Sequence, residues 1–535
     1  MTTPTSGPDA PAASGIEPFN GRLAILLAMA MFVLVVDTSI MNVSISAVVR
    51  DLGTTASGVQ GAIALEALVS AAFILIGGKA GDLIGRKLAY VLGLLGYAIG
   101  AVAMTLAQGL TAIIVFWAVI GGIGASLLLP SMQSLIHGNF TGAHQKRVYA
   151  LVGASAAIAA AVGPLIGGFI TTFLSWRVGF LMEAVIIAIV LSGIRLVKDV
   201  PYTGSRAVDW VGALLSVVGM GGVVLGILVW QEGGAYVGVL IGVGAVALAG
   251  FVWWLRDRKR RKRATLIDRA LFESKPFRFG ASGQLLQQVA LGGTMIVLPL
   301  YLQMVLEYNA LWAGLSIAPL SLTMFVVALL AGRRGRGRPA NVILLGFALL
   351  VVGVAILMPI VPRADSGWWL LLPLVVAGAG LGLLVSQLNN YTLSPISDER
   401  VSEAAGVNSA AGSFGLSFGI AFAGAIMLAT LSFTFTARAD ASTVLSDEQQ
   451  QQVAAVLEED AQLVSNTGLE ELLADEPEDV QDEILAINTE ARHIALQVAL
   501  LVPLFAGLLG ILNALRMRRQ PDPKPSAAAE GVLGG

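Results

Sequence analysis

Residues 30–44 read AMFVLVVDTSIMNVS, with one carboxylate, Asp37, in the middle of an otherwise apolar run. The run is about 25 residues long, more than the roughly 20 needed to cross a bilayer. A charge at that depth costs roughly 3 kcal/mol on insertion scales. An acid kept there points to exchange of a proton or a cation. The bland alternative is a neutral carboxyl hydrogen-bonded to Asn42 or to a group on the fourth apolar run. Two more acids lie inside such runs, Glu66 in GAIALEALVSAAF and Glu183 in GFLMEAVIIAIV. A helical rise of about 1.5 Å per residue puts each of the three acids roughly 9–11 Å from one boundary of its run. Asp37 and Glu66, at similar depth on consecutive runs, form the leading pair, and Glu183 ranks third. Low dielectric and a second carboxylate nearby both disfavour ionisation. Such a pair is suited to take a proton near neutral pH and release it when water or a cationic compound arrives.

Uncharged polar groups fall in the same kind of setting. Gln284, Gln287 and Gln288 are spaced by three and four, so they share a helical face. With Asn42, Trp117 and Asn408 they are candidates to line a cavity for an amphiphilic, aromatic or cationic compound. Glue between helices is the alternative for the amides. Two glycine-rich segments stand out. GGKAGDLIGRK (77–87) combines Gly78, Gly81 and Gly85 with Asp82, Arg86 and Lys87. Its glycines permit a tight turn, and Asp82 can accept from a helix N-terminus or pair with Arg86. Such a loop can latch one helix bundle against another. GASAAIAAAVGPLIGG (153–168) carries Gly153, Gly163, Pro164, Gly167 and Gly168. Small faces let membrane helices approach closely, and an interior proline favours a kink. The expectation is a helix that bends or slides against its neighbour.

The elements that must position these groups follow from composition. The chain is 56% hydrophobic and 13% charged, with a mean hydropathy of +0.79. Soluble domains carry about 25% charged residues, so this is an all-α polytopic membrane protein. Fourteen apolar runs between residues 23 and 515 are long enough to span. Cysteine is absent and the three histidines are scattered, which leaves no thiolate or histidine metal site. No phosphate-binding Gly-x-x-x-x-Gly-Lys-Ser/Thr is present, and no domain outside the spans is large enough for an active site. An enzyme, a cofactor, a metal and a nucleic-acid partner are therefore not expected. With the amino terminus inside, 28 of the 33 lysines and arginines fall on the cytoplasmic side. That asymmetry places both termini in the cytoplasm of a plasma-membrane protein.

The expected division has five parts. Residues 1–21 are a disordered cytoplasmic tail without a signal peptide. Residues 22–197 are a six-helix bundle, and 198–277 hold two inserted helices and a basic linker. Residues 278–516 are a second six-helix bundle, and 517–535 a disordered tail. Repetition supports the halves, because AGRRGRGRP (331–339) closes the tenth span as GGKAGDLIGRK closes the second. The linker's Leu266–Phe277 stretch is amphipathic and is expected to anchor at the headgroups. Within the second bundle, 437–493 is an acidic external loop. Val453, Val456, Leu457, Leu469, Leu472 and Leu473 recur there at helical spacing, so short helices are expected. A solvated cap is the plain reading, and a docking site for an external protein partner the sharper one.

GGKAGDLIGRK resembles the signature loop of the major facilitator superfamily. GASAAIAAAVGPLIGG resembles its antiporter motif. VVDTSIMNVSI resembles the first-span Asp-x-x-x-x-Asn-Val segment of the fourteen-span drug:proton antiporters. The resemblance covers residues 22–516. It implies two six-helix bundles plus two inserted helices, and proton-coupled export of drugs or other amphiphilic small molecules across the lipid bilayer; a monomer is expected. A dedicated exporter of one metabolite, peptide or lipid is the nearest alternative, and a non-transporting scaffold a more distant one. There are departures. Ala118 stands where family members place a fourth-span arginine, Glu66 stands where an aromatic residue is usual, and the second copy of the loop lacks its acid.

Overall fold

The structure is a computed structural model. It describes residues 19–521 except 141, 200–208, 232, 233, 235, 262, 264, 268, 335–337, 362, 397, 447–449, 451–468, 471, 472, 475 and 476. Among the described residues the chain is helical and contains no strand. In a bilayer every backbone N–H and C=O must be satisfied within the segment, and a run of long helices is one of the few solutions.

The first half is built from α1 (Gly21–Val43), the short α2 (Ile45–Leu52), α3 (Ala56–Ile84) and α4 (Arg86–Leu106). The fourth span is composite, with α5 (Leu110–Ala112), a π-helical segment (Ile113–Gly121) and α6 (Gly122–Asn139). α7 (Gly142–Phe173) and α8 (Trp176–Ser192) complete the half. The inserted pair is α9 (Trp210–Gln231) and α10 (Val237–Arg260). The second half holds α11 (Lys275–Leu300) with a π-helical end (Tyr301–Val305), α12 (Ala310–Arg334), α13 (Pro339–Ile360), α14 (Leu371–Leu393), α15 (Asp398–Ala441), α16 (Glu478–Ala499) and α17 (Leu501–Arg518).

Among the described residues, thirteen helical stretches of 18 residues or more are apolar enough to span. α8 has 17 residues, about 26 Å of helix. Counted with them it gives the fourteen expected.

The two ends of the bundle differ in charge. One, the basic end, carries the 79–87 loop and residues 256–261, and the other, the acidic end, carries the end of α15 and the start of α16. α15 is 44 residues, about 66 Å against a hydrocarbon core of about 30 Å. The expected acidic loop therefore starts and finishes as helix. Ser442 donates to Glu483 at 2.6 Å and Arg438 pairs with Glu490, tying α15 to α16. Val480, Ile484 and Ile487 of α16 are buried, and Leu469 and Leu473 pack on the same core. Val453, Val456, Leu457 and Leu472 lie outside the described residues.

The two halves meet along two seams, α3 with α15 and α7 with α12. Ser417 of α15 donates to the Ala64 carbonyl of α3 at 2.6 Å. α9 lies along the first seam, with Gln231 donating to the Ala421 carbonyl at 2.5 Å. Asp209 caps α9: its carboxylate accepts from Gly212 N–H at 3.0 Å and from the Trp254 indole at 2.9 Å. The amphipathic stretch of the linker differs from expectation. Leu266, Ile267, Leu271 and Phe277 are buried with Ala213, Ala404 and Val407, so their apolar side packs on protein instead of at the headgroups.

Candidate functional site

Asp37 lies in the last third of α1, six residues before its end at Val43, and has no solvent exposure. Two side chains hold it. The Tyr97 hydroxyl of α4 donates to Oδ2, and the Trp117 indole N–H donates to both carboxylate oxygens at 2.9 Å. Glycines bring those donors close. A Cβ on Gly93 would come within 2.9 Å of the Gly124 carbonyl, and one on Gly100 within 2.9 Å of the Phe116 carbonyl. α4 and the fourth span thus touch nearly backbone to backbone, with Tyr97 between Gly96 and Gly100. Trp117 sits inside the nine-residue π segment. Such segments are rare and often mark functional sites.

Asp37 is thus hydrogen-bonded to a fourth-span group, while Asn42 turns away and donates to the Thr38 carbonyl at 2.8 Å. Ala118, beside Trp117, is fully buried.

All three membrane acids converge on this place. Glu66 of α3 is 9% exposed and Glu183 of α8 is 0% exposed. Asp37, Glu66 and Glu183 all act electrostatically on the Tyr97 hydroxyl. Both Glu183 oxygens lack a hydrogen-bond partner among the described residues. Phe180, one turn earlier on α8, packs edge-on against Trp117 at 6.2 Å between ring centres. Glu183 ranks third of the acids in the sequence; α8 packs on both α1 and α4, and Asp37 acts electrostatically on Glu183. The sequence reading missed Tyr97. The signal was the Gly93, Gly96, Gly100 spacing around it.

The amides split into separate groups. Gln284 and Gln288 of α11 face Gly412 of α15, where a Cβ would lie 3.3 Å from the Gln284 amide nitrogen and 3.7 Å from Gln288 Cγ. Asn408 donates to Asn389 at 3.2 Å. Gln287 is 3% exposed. The amide oxygens of Gln287, Gln288 and Asn408 have no hydrogen-bond partner among the described residues. Nearby, an apolar cavity of about 450 Å³ lies among α11, α15, α16 and α17, with the Phe414, Phe418 and Phe422 rings along one wall.

The basic loop is folded as its chemistry suggests. Asp82 pairs with Arg86 at 3.6 Å and with Lys79 at 4.0 Å. Gly85 has φ +101, a backbone conformation that side-chain-bearing residues rarely adopt. Lys87 donates from its backbone to Asp199 at 3.0 Å and from Nζ to the Val197 carbonyl at 2.7 Å. Gly78 and Gly81 lie against Pro130 and Ser131 of α6. These partners belong to the first half. Leu75 and Ile76, immediately before the segment, pack on the cluster that gathers Ala213, Leu266 and Phe277 with Ala404 and Val407 of α15.

The glycine-rich segment of α7 faces two ways. A Cβ on Gly163 would meet Ser39 Cβ at 2.5 Å, and one on Gly167 the Ile40 Cα at 2.9 Å, both on α1. A Cβ on Gly168 would lie 2.5 Å from the Ala310 carbonyl of α12, and Gly314 of α12 abuts the Pro164 carbonyl. Gly153 has open space around it, with nothing within 4 Å of a Cβ.

Two bundles meeting along two seams, with an aspartate buried in one, define a membrane transporter of the facilitator kind. The Major Facilitator Superfamily sequence profile matches residues 27–420, and the chain belongs to that family. It is 28% identical over 447 residues to the "Probable actinorhodin transporter" of Streptomyces coelicolor, covering 81% of this chain and 77% of that one. It is 27% identical over 423 residues to the "Multidrug export protein EmrB" of Escherichia coli, covering 75% and 80%. "Multidrug resistance protein Stp" of Mycobacterium tuberculosis is 27% identical over 412 residues, covering 76% and 75%. Among solved structures, an inward-facing bacterial homologue of the lysosomal transporter Spinster superposes with a TM-score of 0.60 at 13% identity. That match covers 95% of this chain and 100% of the other, a likeness of fold.

Proposed function

We propose that the protein exports drugs or other amphiphilic small molecules in exchange for protons. The observation that carries this reading is the Asp37 site: a buried carboxylate with Tyr97 and Trp117 as donors and two further carboxyls close by. Donors favour a carboxylate, and apolar surroundings without donors do not. Side by side, such environments let a proton be held and passed on. The fourth-span arginine is replaced here by two neutral donors, so the acid's charge is not cancelled and its proton occupancy can answer to the substrate.

The relatives' names support export of drugs. One relative is named for a single compound, actinorhodin, which favours dedicated export of one metabolite as the second reading. The test is proton release from purified protein in liposomes, screened over cationic and neutral amphiphiles. Release stimulated by several unrelated compounds is expected. Release with a single class supports the dedicated exporter, and none with any compound rejects proton exchange.

The basic end is read as cytoplasmic from the lysine and arginine distribution, and a monomer in the plasma membrane is the reading that goes with it for a transporter of this family. An accessibility tag near 474 labels from outside intact cells and one near 260 does not. The opposite pattern overturns the orientation.

In this reading the 77–87 loop is a latch that is braced on the first half by Asp199 and Val197 and reaches the second through the adjoining Leu75 and Ile76. Asp82 is partly exposed, so its ion pairs contribute at most about 1 kcal/mol to stability. Asp82→Asn should leave expression and melting temperature unchanged and lower export several-fold. Full export by Asp82→Asn removes the latch from the mechanism.

A further inference from the structure

One side chain crosses between the halves at the acidic end and is assigned no role by the site above. α1 ends at Val43 and α2 begins at Ile45. Ser44, with φ −102 and ψ 1, leaves helical geometry between them. In an unbroken helix the Ser46 N–H would bond the Asn42 carbonyl four residues back. Here Gln303, from the π-helical end of α11, stands between the two. Its Oε1 accepts from Ser46 N–H at 2.9 Å, and its Nε2 donates to the Asn42 carbonyl at 3.1 Å. A single carboxamide from the other half occupies the place of one helical hydrogen bond. Insertion of a side chain into the i→i−4 ladder is a recognised cause of a helix kink. Gln303 and Ser46 are each 4% exposed, so water is poorly placed to substitute.

The surroundings hold Gln303 in place. Arg492 of α16 is fully buried and donates to the carbonyl of Met304, the next residue, at 3.3 Å. Thr172 of α7 accepts from Leu311 N–H of α12 at 3.0 Å, so the halves are closed against each other at this end. On α1, Asn42 is five residues beyond Asp37.

We propose that Gln303 is the key of a gate at the acidic end. While the halves are closed there, its amide keeps the first span bent. When they part, the amide withdraws and Ser46 N–H returns to the Asn42 carbonyl, joining α1 and α2 into one helix. Both arrangements satisfy the same two backbone groups. Every position between them leaves those groups unpaired in an apolar setting, which makes the element bistable. Because α1 carries Asp37, straightening the span alters the surroundings of the acid, and gate and acid are mechanically linked. The inference rests on membership of a two-halved transporter family and is independent of which compound is exported.

Two variants push this switch in opposite directions. Gln303→Leu removes the inserted amide and should favour the parted, straight state. Ser46→Pro removes the N–H that Gln303 Oε1 accepts but leaves the Gln303 Nε2 bond to the Asn42 carbonyl. In a continuous helix its ring would also clash with that carbonyl, so α1 and α2 cannot rejoin and the straight state loses more than the bent one. Proline is tolerated in the first turn of a helix, and this variant should favour the closed, bent state. Cysteine is absent from the chain, so spin labels on Arg50→Cys and Trp368→Cys report the acidic-end separation without background. Both sites are exposed. In nanodiscs, pulsed dipolar spectroscopy should show the long-distance population rise about tenfold in Gln303→Leu, as expected for two lost hydrogen bonds, and fall in Ser46→Pro. Unchanged distributions, or shifts of the same sign in both, overturn the proposal. If Gln303→Leu does not fold, an unshifted distribution in Ser46→Pro is enough to reject it. Failure of both to fold assigns the contact to stability and rejects it equally.

Discussion

Asp37→Asn abolishes export driven by a pH gradient: substrate movement in proteoliposomes falls to the level of empty vesicles, while downhill exchange of a neutral substrate persists. The substitution suits the site. Asparagine offers one acceptor and two donors. Its carbonyl oxygen can take the Trp117 N–H, which can only donate, and its amide can donate to the Tyr97 oxygen, whose hydroxyl can turn to accept. The helix contacts of α1 are therefore retained, and what is lost is the exchangeable proton. Folding is checked by melting temperature, and transport is measured with and without the gradient. Gradient-driven export surviving in Asp37→Asn would move the coupling site to another residue, with Glu183 next in line because its unpartnered oxygens face the same pocket of charge. Loss of both gradient-driven and downhill movement would give Asp37 a purely structural role as a pin between α1, α4 and the fourth span.

Much of this arrangement could be read from residue types alone, because the bilayer makes the relevant costs large. A carboxylate in an apolar run is conspicuous, and so is a loop that gathers most of the local charge. The spans followed from length. α8 was found that way although its 17 residues are fewer than a perpendicular span needs. What escaped depends on contacts far apart in sequence. Tyr97 looks like an ordinary aromatic residue in an apolar helix, and Trp117, read as a cavity candidate, has nothing local to show that its indole joins the Tyr97 hydroxyl on Asp37, 80 and 60 residues away. The two π segments have no sequence period of their own. Gln303 is likewise silent: its partners lie 257 and 261 residues earlier. The order of Glu183 and Glu66 is likewise not written locally: α8 packs on both α1 and α4, a pairing that no sequence period shows. The acidic segment reads as a loop with short helices; α15 and α16 carry helix into both of its ends, and the apolar residues along α16 pack on the core with α15.

Gly168→Val should eliminate transport, whereas Gly153→Val should leave it within about twofold of wild type. Sequence resemblance gives both glycines equal weight, since both belong to the same motif on α7. The structure separates them. At Gly168 a Cβ would lie 2.5 Å from the Ala310 carbonyl and 2.9 Å from Leu311 Cα, and both are backbone atoms that cannot rotate away. The branched side chain of valine is stiff and needs still more room. α7 and α12 would have to separate at the acidic end, where Thr172 and Leu311 are hydrogen-bonded across the seam. The closed arrangement of that end then becomes inaccessible, and a cycle that must pass through it stops. At Gly153 nothing lies within 4 Å, so the same side chain meets no obstacle in this arrangement. In an α-helix in lipid, replacing glycine with valine does not by itself prevent insertion, because every backbone bond remains within the helix. Transport by both variants is measured in the same liposomes. The acidic-end distance in Gly168→Val is read with the spin-label pair at positions 50 and 368. A longer distance without transport is the expected result. Normal transport in Gly168→Val would mean that close approach of α7 and α12 is not required by the cycle. Equal loss in Gly153→Val would mean that the open space beside it closes in another state of the transporter, bringing Gly153 into a contact as tight as the one Gly168 makes here.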